Sequence, residues 1–183
     1  MSPNSVESLS RFLSYVLRHA PHEFGLVLDQ DGYVSLDTLV AAIRTRPKWR
    51  RLNKEDILDL VATSRRKRFE VKDQRIRALY GHTAMRITSY SQVTPPTYLF
   101  HGTARRNSRS IERLGLVPRS RAFVHLSQSI DDALIVGRRR DRYPVVYKVL
   151  ALCAHHEGIR FFRAGDVYLC PFVPPRYLLR LRL

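Results

Sequence analysis

Cysteines and long apolar runs are scarce in this sequence, and each scarcity excludes a class of protein. Two cysteines, Cys153 and Cys170, are too few for a disulfide framework or for a four-cysteine zinc site. No window approaches the ~18 consecutive apolar residues that a membrane span requires. The first residues carry charges and lack an apolar segment followed by a cleavage site, so they do not resemble a signal peptide. We therefore expect a soluble, cytoplasmic protein.

Positive charge is abundant. The 183 residues include 32 Lys and Arg against 16 Asp and Glu, a formal net charge of +16. Only five of the basic residues are lysines, which leaves 27 arginines. Because a planar guanidinium binds phosphate through two parallel hydrogen bonds, this bias favours a polyanion that carries phosphate. A GC-rich genome or a thermophilic source would also raise arginine and lower Asn and Gln, which number three and four here.

A boundary is predicted in the middle of the chain. Periodic patterning stops near residues 88–97, where Pro95 and Pro96 stiffen an extended link. We place one lobe at residues 1–92, with a net charge of +6, and another at residues 93–183, with a net charge of +10. Both lobes are basic, so an anion site could involve both.

The sequence of the first lobe predicts three helices and a hairpin. Asn4, Ser35 and Asn53 each precede apolar residues at helical spacing and are predicted to cap three helices. Alternating residues then flank a turn at Asp73 and Gln74, which predicts a β-hairpin. Three short helices followed by a hairpin is the order of elements in a winged helix.

The second lobe mixes strands with fewer helices. Strands are predicted at residues 98–103, 122–126, 144–152, 166–170 and 177–183, and helices at residues 105–114 and 130–138. Helices do not separate every pair of strands, so an α+β fold is favoured over a doubly wound sheet. No glycine-rich loop of the Rossmann or P-loop kind follows any strand.

Several basic motifs are candidates for chemistry, although each has a simpler explanation alone. Arg18 and His19 end the first helix, where basic side chains complement the helix dipole, and Arg77 lies in a solvated hairpin strand. Two strands end in histidine, at His101 and His125, and together suggest the floor of a ligand site. We disfavour a metal, because no further ligands follow at a suitable spacing.

Seven motifs, taken in order, resemble the Tpt1/KptA family of RNA 2′-phosphotransferases. They are LSRFLSYVLRHAP, DGYVSLDTL, RRKRFEV, RIRALYGHT, LFHGTARR, GLVPRSRAFVHLS and VGRRRDRYPVV, and the resemblance runs from Leu9 to Leu179. It implies an α+β chain with an N-terminal winged-helix lobe that binds RNA. The C-terminal lobe is then a mixed α/β lobe, similar to ADP-ribosyltransferases, that binds NAD.

The resemblance also implies a reaction. In the family, an internal RNA 2′-phosphate, as in a spliced tRNA, attacks NAD and expels nicotinamide, which leaves a 2′-phospho-ADP-ribosylated RNA. The ribose 2″-OH then attacks the phosphate, giving RNA 2′-OH and ADP-ribose 1″,2″-cyclic phosphate. We expect a monomer that uses RNA and NAD, without a metal ion and without a membrane.

Individual residues take roles by the same resemblance. The catalytic set is Arg18, His19, Arg77 and Arg139. The NAD-binding set is His101, Gly102, Thr103, Ser110, Arg121, His125, Leu126 and Ser127. Residues 80–83 read Tyr-Gly-His-Thr where Gln-Gly-His-Ser is usual, and residues 139–141 read Arg-Arg-Asp where Arg-His-Gly is usual. Arg138 and Arg140 therefore remain alternatives to Arg139.

Two other functions stay open. A winged-helix nucleic-acid-binding protein without catalysis explains the charge and the hairpin, but not the two strands that end in histidine. The other is an ADP-ribosyltransferase that stops after the first step and modifies terminal phosphates of RNA or DNA. The intact catalytic set favours completion of the second step.

Overall fold

A computed structural model describes residues 3–83 and 90–183. The chain divides into two compact units, Met1–Ser89 and Tyr90–Leu183, and each unit has its own apolar core. The first two residues of the predicted link, 88 and 89, lie outside the described residues. Ser91 and Gln92 pair with a strand of the second unit, whereas the sequence analysis assigned them to the first lobe. Within the described ranges, no helix combines the length and the apolar character needed to cross a bilayer.

Within residues 3–83, the first unit contains three α-helices and three strands, and the predicted helices and hairpin are confirmed. In chain order these are α1 (Pro3–Arg18), β1 (Val34–Ser35), α2 (Leu36–Arg44), α3 (Lys54–Thr63), β2 (Phe69–Lys72) and β3 (Arg75–Ala78). The strands form one antiparallel sheet in the order β1-β3-β2. Leucines on α1, α2 and α3 pack with Ile76 and Trp49 in a single core.

Local signals explain most of these boundaries. Asn53 accepts a hydrogen bond from the Asp56 backbone N–H, and the Asp56 carboxylate accepts one from the Asn53 N–H, so α3 begins with a capping box. Asp73 and Gln74 have φ angles of 49° and 57°, the conformation that a two-residue hairpin turn requires. The predicted cap at Asn4 is wrong, because α1 already begins at Pro3, whose fixed φ suits a first helical turn.

The second unit contains seven strands and three helices within its described residues. They are β4 (Ser91–Gln92), β5 (Leu99–Thr103), α4 (Ser108–Leu114), β6 (Val124–Leu126), α5 (Ile130–Arg138), β7 (Val145–Val149), α6 (Ala151–His156), β8 (Phe162–Ala164), β9 (Val167–Cys170) and β10 (Leu178–Arg180). One antiparallel sheet has the order β10-β7-β5 and another the order β4-β8-β9-β6. Mixed helices and antiparallel strands confirm the α+β class.

The second unit departs from the sequence prediction beyond β7. The strand predicted to run to residue 152 ends at Val149, and α6 begins at Ala151, whose side chain is buried with that of Ala154. Ala151, Leu152 and Ala154 are good helix formers and favour a helix once tertiary packing covers one face. Cys153 and Cys170 are free thiols.

Candidate active site

Arg18 and His19 lie where α1 ends. Leu13, Val16 and Leu17 fill the buried stripe of the helix, which leaves the next two side chains outside the core. The Arg18 guanidinium lies 4.7 Å from the centre of the Tyr80 ring. His19 is exposed, and its Nδ1 lies 2.8 Å from the Thr83 hydroxyl. The Thr83 backbone N–H donates to the Arg18 carbonyl at 3.0 Å, which satisfies a carbonyl of the last helical turn.

The segment after β3, residues 80–83, wraps around the end of α1. Gly81 has a φ of +85°, and a Cβ there would lie 3.5 Å from two atoms of the Arg18 side chain. The next residue, His82, is 6% exposed, and neither ring nitrogen has a hydrogen-bond partner among the described residues. Burial, followed by the positive charges of Arg18, His19 and Arg77, lowers the pKa of His82 to about 4. His82 is therefore neutral at pH 7, and the guanidinium groups of Arg18 and Arg77, with His19 beside them, form a cationic cluster around it.

Arg77 is held by residues from the opposite strand and from the loop before β1. Its Nε donates to Oε2 of Glu70 at 2.8 Å, and Nη2 forms an ion pair with the same oxygen at 2.7 Å. The Tyr33 hydroxyl donates to the same oxygen at 2.5 Å, and the Tyr33 ring lies 4.6 Å from the guanidinium carbon. Arg77 Nη1 also donates to the Asp31 carbonyl at 3.3 Å. The guanidinium is thus fixed along one edge and against one ring.

These contacts set the charges of Tyr33 and Glu70. Burial acts to raise the pKa of Glu70, but hydrogen bonds from Tyr33 and Arg77 and the Arg77 charge outweigh it, so this pKa lies below its ordinary value. Burial and the hydrogen bond to Glu70 raise the pKa of Tyr33 to about 12. At neutral pH, Glu70 is a carboxylate and Tyr33 is a protonated donor.

In the second unit, the two histidine-containing strands lie side by side. Phe100 and Ser127 exchange backbone hydrogen bonds of 2.9 and 2.8 Å, which joins β5 to the residue after β6. His101 Nδ1 lies 3.1 Å from the His125 carbonyl, and His125 Nδ1 lies 3.0 Å from the Phe123 carbonyl. Because a carbonyl only accepts, both Nδ1 atoms carry protons. Burial lowers the pKa of His101, so in its neutral form Nε2 is an acceptor.

Gly102 and Thr103 have packing roles that the sequence analysis did not anticipate. A Cβ on Gly102 would lie 1.7 Å from the Ala133 carbonyl oxygen, so α5 rests directly on the β5 backbone. Thr103 is buried, and its hydroxyl accepts a hydrogen bond from the Asn107 side chain at 2.9 Å. Helix packing alone accounts for the glycine in the HGT motif.

The other predicted residues are spread over the second unit. Leu126 is buried in β6, Ser110 is half-buried in α4, and Arg121 is exposed before β6. Arg139 is the C-terminal cap of α5 and is exposed, as are its neighbours Arg138 and Arg140. This geometry does not distinguish among the three arginines.

Asp141, just beyond these arginines, binds Arg105. Its two carboxylate oxygens accept from the Arg105 side chain at 3.1 Å each, and Oδ2 also accepts from the Arg105 backbone N–H. The hydrogen bonds from Arg105, together with one from the Tyr143 backbone, lower the pKa of Asp141 to about 2. The bonds join the end of β5 to the segment that follows α5.

Comparison with known proteins identifies the family of this α+β chain. The family model described as "RNA 2'-phosphotransferase, Tpt1 / KptA family" matches residues 4–171. A protein of Acetivibrio thermocellus named "Probable RNA 2'-phosphotransferase" is 42% identical over 93% of this chain and 94% of its own length. A protein of the same name from Pyrococcus abyssi is 39% identical over 91% of this chain and 90% of its own length. The chain belongs to the Tpt1/KptA family of RNA 2′-phosphotransferases, which are transferases.

Sequence reasoning missed the partners of the predicted site residues. Glu70 could have been found, because a two-residue turn at Asp73 and Gln74 pairs residue 70 with Arg77 across the hairpin. Tyr33 and Thr83 carry no such signal, since they reach Glu70 and His19 from 37 and 64 residues away.

Proposed function

We propose that this chain transfers an internal RNA 2′-phosphate to NAD, in the NAD-dependent reaction that the sequence resemblance implies. The observation that carries the proposal is the family match over residues 4–171, a range that includes every residue of the catalytic and NAD-binding sets. The cationic cluster of the first unit supports it, since its two guanidinium groups suit a phosphate dianion.

The proposed reaction has two steps. An oxygen of the RNA 2′-phosphate attacks C1″ of the nicotinamide ribose, and the C–N bond breaks with its electron pair leaving on nicotinamide. The ribose 2″-OH then attacks phosphorus, and the bond between phosphorus and the RNA 2′ oxygen breaks. The proton lost by the 2″-OH is balanced by one gained at the RNA 2′ oxygen. The products are RNA 2′-OH, nicotinamide and ADP-ribose 1″,2″-cyclic phosphate.

In this scheme the first unit is the winged-helix RNA-binding lobe, and its cluster handles the phosphate. Arg18 and Arg77 offset the negative charge that grows on the phosphate oxygens during the second step. Thr83 contacts His19 Nδ1 and orients the ring, and the imidazole moves a proton to or from the reacting oxygens. Arg139 supplies a third guanidinium, with Arg138 and Arg140 as alternatives.

The second unit is the proposed ADP-ribosyltransferase-like lobe that holds NAD, the co-substrate that supplies the electrophilic ribose carbon and the leaving group. The donor set fits such a molecule. In neutral His101, Nε2 is an acceptor suited to a ribose hydroxyl, since Nδ1–H is committed to a carbonyl. Ser110, Ser127 and the backbone of the two motifs offer further polar contacts, and Arg121 suits a pyrophosphate.

The test is a short RNA with one internal 2′-phosphate, incubated with the protein in EDTA, with and without NAD. We expect the phosphate to leave the RNA only when NAD is supplied. The Arg18→Gln variant removes one guanidinium of the cationic cluster and should react more slowly than the wild type. A requirement for a divalent ion, or removal of phosphate without NAD, contradicts the proposal. RNA that accumulates as an ADP-ribosylated species in the wild type would show that the reaction stops after the first step.

A further inference from the structure

Glu70 uses a single carboxylate oxygen to hold Arg77 and Tyr33 together. Oε2 accepts from Arg77 Nε at 2.8 Å and from the Tyr33 hydroxyl at 2.5 Å, and it lies 2.7 Å from Arg77 Nη2 in the ion pair. Both contacts from Arg77 come from the side of the guanidinium where Nε–H and one Nη2–H point in parallel. The Arg77 side chain is 21% exposed, so this clamped group still reaches solvent.

The remaining donors of Arg77 can be counted. A guanidinium has five N–H groups, and Nη1 uses one of them on the Asp31 carbonyl. Within residues 3–83 and 90–183, the hydrogen bonds to Glu70 and Asp31 use the N–H of Nε and one N–H of Nη1, and Nη2 is in ion-pair contact with Glu70. At least one N–H on each terminal nitrogen is then left for a bound anion.

We propose that Glu70, supported by Tyr33, is a positioning residue that holds Arg77 with its two terminal N–H groups ready for the RNA 2′-phosphate. The inference rests on the proposed function, in which Arg77 binds that phosphate. A donor that is already oriented stabilises developing charge better than one that must reorient during the reaction. A carboxylate that merely competed with the phosphate for Arg77 would have the opposite effect, since its removal would speed the reaction.

A second ion pair in the same sheet provides a matched control. Arg75, two residues before Arg77 on β3, forms an ion pair with Asp29 and lies 5.4 Å from the Tyr33 ring. Asp29→Asn therefore removes the charge that faces an arginine of the same strand, while an amide oxygen can still accept the backbone N–H bonds of Asp31 and Tyr33 that Asp29 Oδ1 accepts. Any effect of lost charge on the hairpin as a whole should appear in this variant as well.

The experiment compares Glu70→Ala, Glu70→Gln and Asp29→Asn in the transfer reaction with NAD and 2′-phosphorylated RNA. We expect Glu70→Ala to lower kcat about tenfold or more, while KM for NAD stays constant, because the loss falls on the phosphate step. Glu70→Gln should lose less, since an amide oxygen still accepts from Arg77. Asp29→Asn should stay within about twofold of the wild type. Glu70→Ala should also accumulate 2′-phospho-ADP-ribosylated RNA, as Arg77→Ala should.

A double-mutant cycle separates positioning from a general structural role. If Glu70 acts through Arg77, adding Glu70→Ala to Arg77→Ala should cause no further loss of kcat. If the two single-variant losses of kcat multiplied in the double variant, the inference would be overturned. The same holds if the Glu70 variants kept the kcat of Asp29→Asn or exceeded that of the wild type. If Glu70→Ala does not fold, the kcat values of Glu70→Gln and Tyr33→Phe are compared in the same way, with and without Arg77→Ala. A wild-type protein without NAD-dependent transfer contradicts the proposed function itself, before any variant is made, and this inference falls with it.

Discussion

His82 is a buried imidazole surrounded by the cationic cluster, and its pKa of about 4 couples folding to pH. The unfolded chain takes up a proton on His82 near pH 6.5, whereas the folded chain does so only near pH 4. The contribution of neutral His82 to the free energy of unfolding is therefore present at neutral pH and is lost as the pH falls from 6.5 towards 4. The full difference between the two pKa values of His82 corresponds to about 3 kcal/mol of stability.

In the full-length protein, the fluorescence of Trp49 measures the pH dependence of the first unit separately from the second. Trp49 is the only tryptophan of the chain and lies in the core of that unit, so its fluorescence during urea unfolding reports the unit that contains His82. We expect His82→Phe to retain more of its neutral-pH stability at pH 4.5 than the wild type does. Equal losses in the two proteins between pH 7 and pH 4.5 would contradict the assignment.

Thr83 contacts His19 and orients it, as Glu70 is proposed to orient Arg77. Its hydroxyl lies 2.8 Å from Nδ1 and fixes the ring of an otherwise exposed side chain. A hydrogen bond of this kind contributes about 1 kcal/mol, so Thr83→Ala should lower kcat by roughly fivefold. Thr83→Ser keeps the hydroxyl and should remain near the wild-type rate. Equal rates for the alanine and serine variants would show that the hydrogen bond does not orient His19 for the reaction.

At the scale of elements, α5 and β5 meet through their backbones. The Ala133 carbonyl occupies the space that a side chain at residue 102 would need, and Gly137 leaves similar room for Pro144. The HGT strand therefore takes its position from α5 as well as from its partner strand β7. Any ligand contact of His101 depends on that packing.

Gly102→Ala should consequently destabilise the second unit by about 3 kcal/mol, because the new Cβ forces β5 and α5 apart. Hydrogen exchange of the β5 and β7 amides measures the loss. Gly158→Ala is the control: a Cβ there meets no atom within 4 Å, and only its positive φ opposes the change, at a cost of about 1 kcal/mol. If both variants lost the same protection, the close approach of Ala133 would not be the cause.

Elements with their own local signals were predicted from sequence, and those defined by distant partners were not. Helix α3 and the hairpin carry a cap, a turn and an apolar period within a few residues. Strand β1 has two residues and exists because Val34 and Ser35 pair with β3. Strand β8 likewise depends on β4 and β9 on its two sides. The candidate site follows the same division, since Arg77 was predicted but Tyr33, which holds Glu70 against it, was not.

At the scale of the whole molecule, charge is the dominant property. The net charge of +16 is shared by the two predicted lobes, with +6 on residues 1–92 and +10 on residues 93–183. Each phosphate contact with a single-stranded RNA releases bound counterions and adds to the salt dependence of binding. The proposed function requires such contacts from both halves of the chain.

Salt titrations of RNA binding test this requirement. Removing one contact by Arg18→Gln, Arg77→Gln or Arg139→Gln should reduce the slope of log affinity against log salt by roughly 0.7. Arg176→Gln serves as the control, because that exposed arginine pairs with Glu157 and has no proposed role. If only the substitutions in residues 1–92 changed the slope, binding by the first half alone would be favoured.

The central claim is that the phosphate itself moves from RNA to NAD. It is tested most directly with an RNA whose internal 2′-phosphate carries a phosphorus radiolabel, incubated with the protein and NAD and then separated into RNA and nucleotide fractions. We predict that the label appears in ADP-ribose 1″,2″-cyclic phosphate, in a one-to-one ratio with released nicotinamide. Label recovered as inorganic phosphate, or nicotinamide released while the label stays on the RNA, would contradict the account.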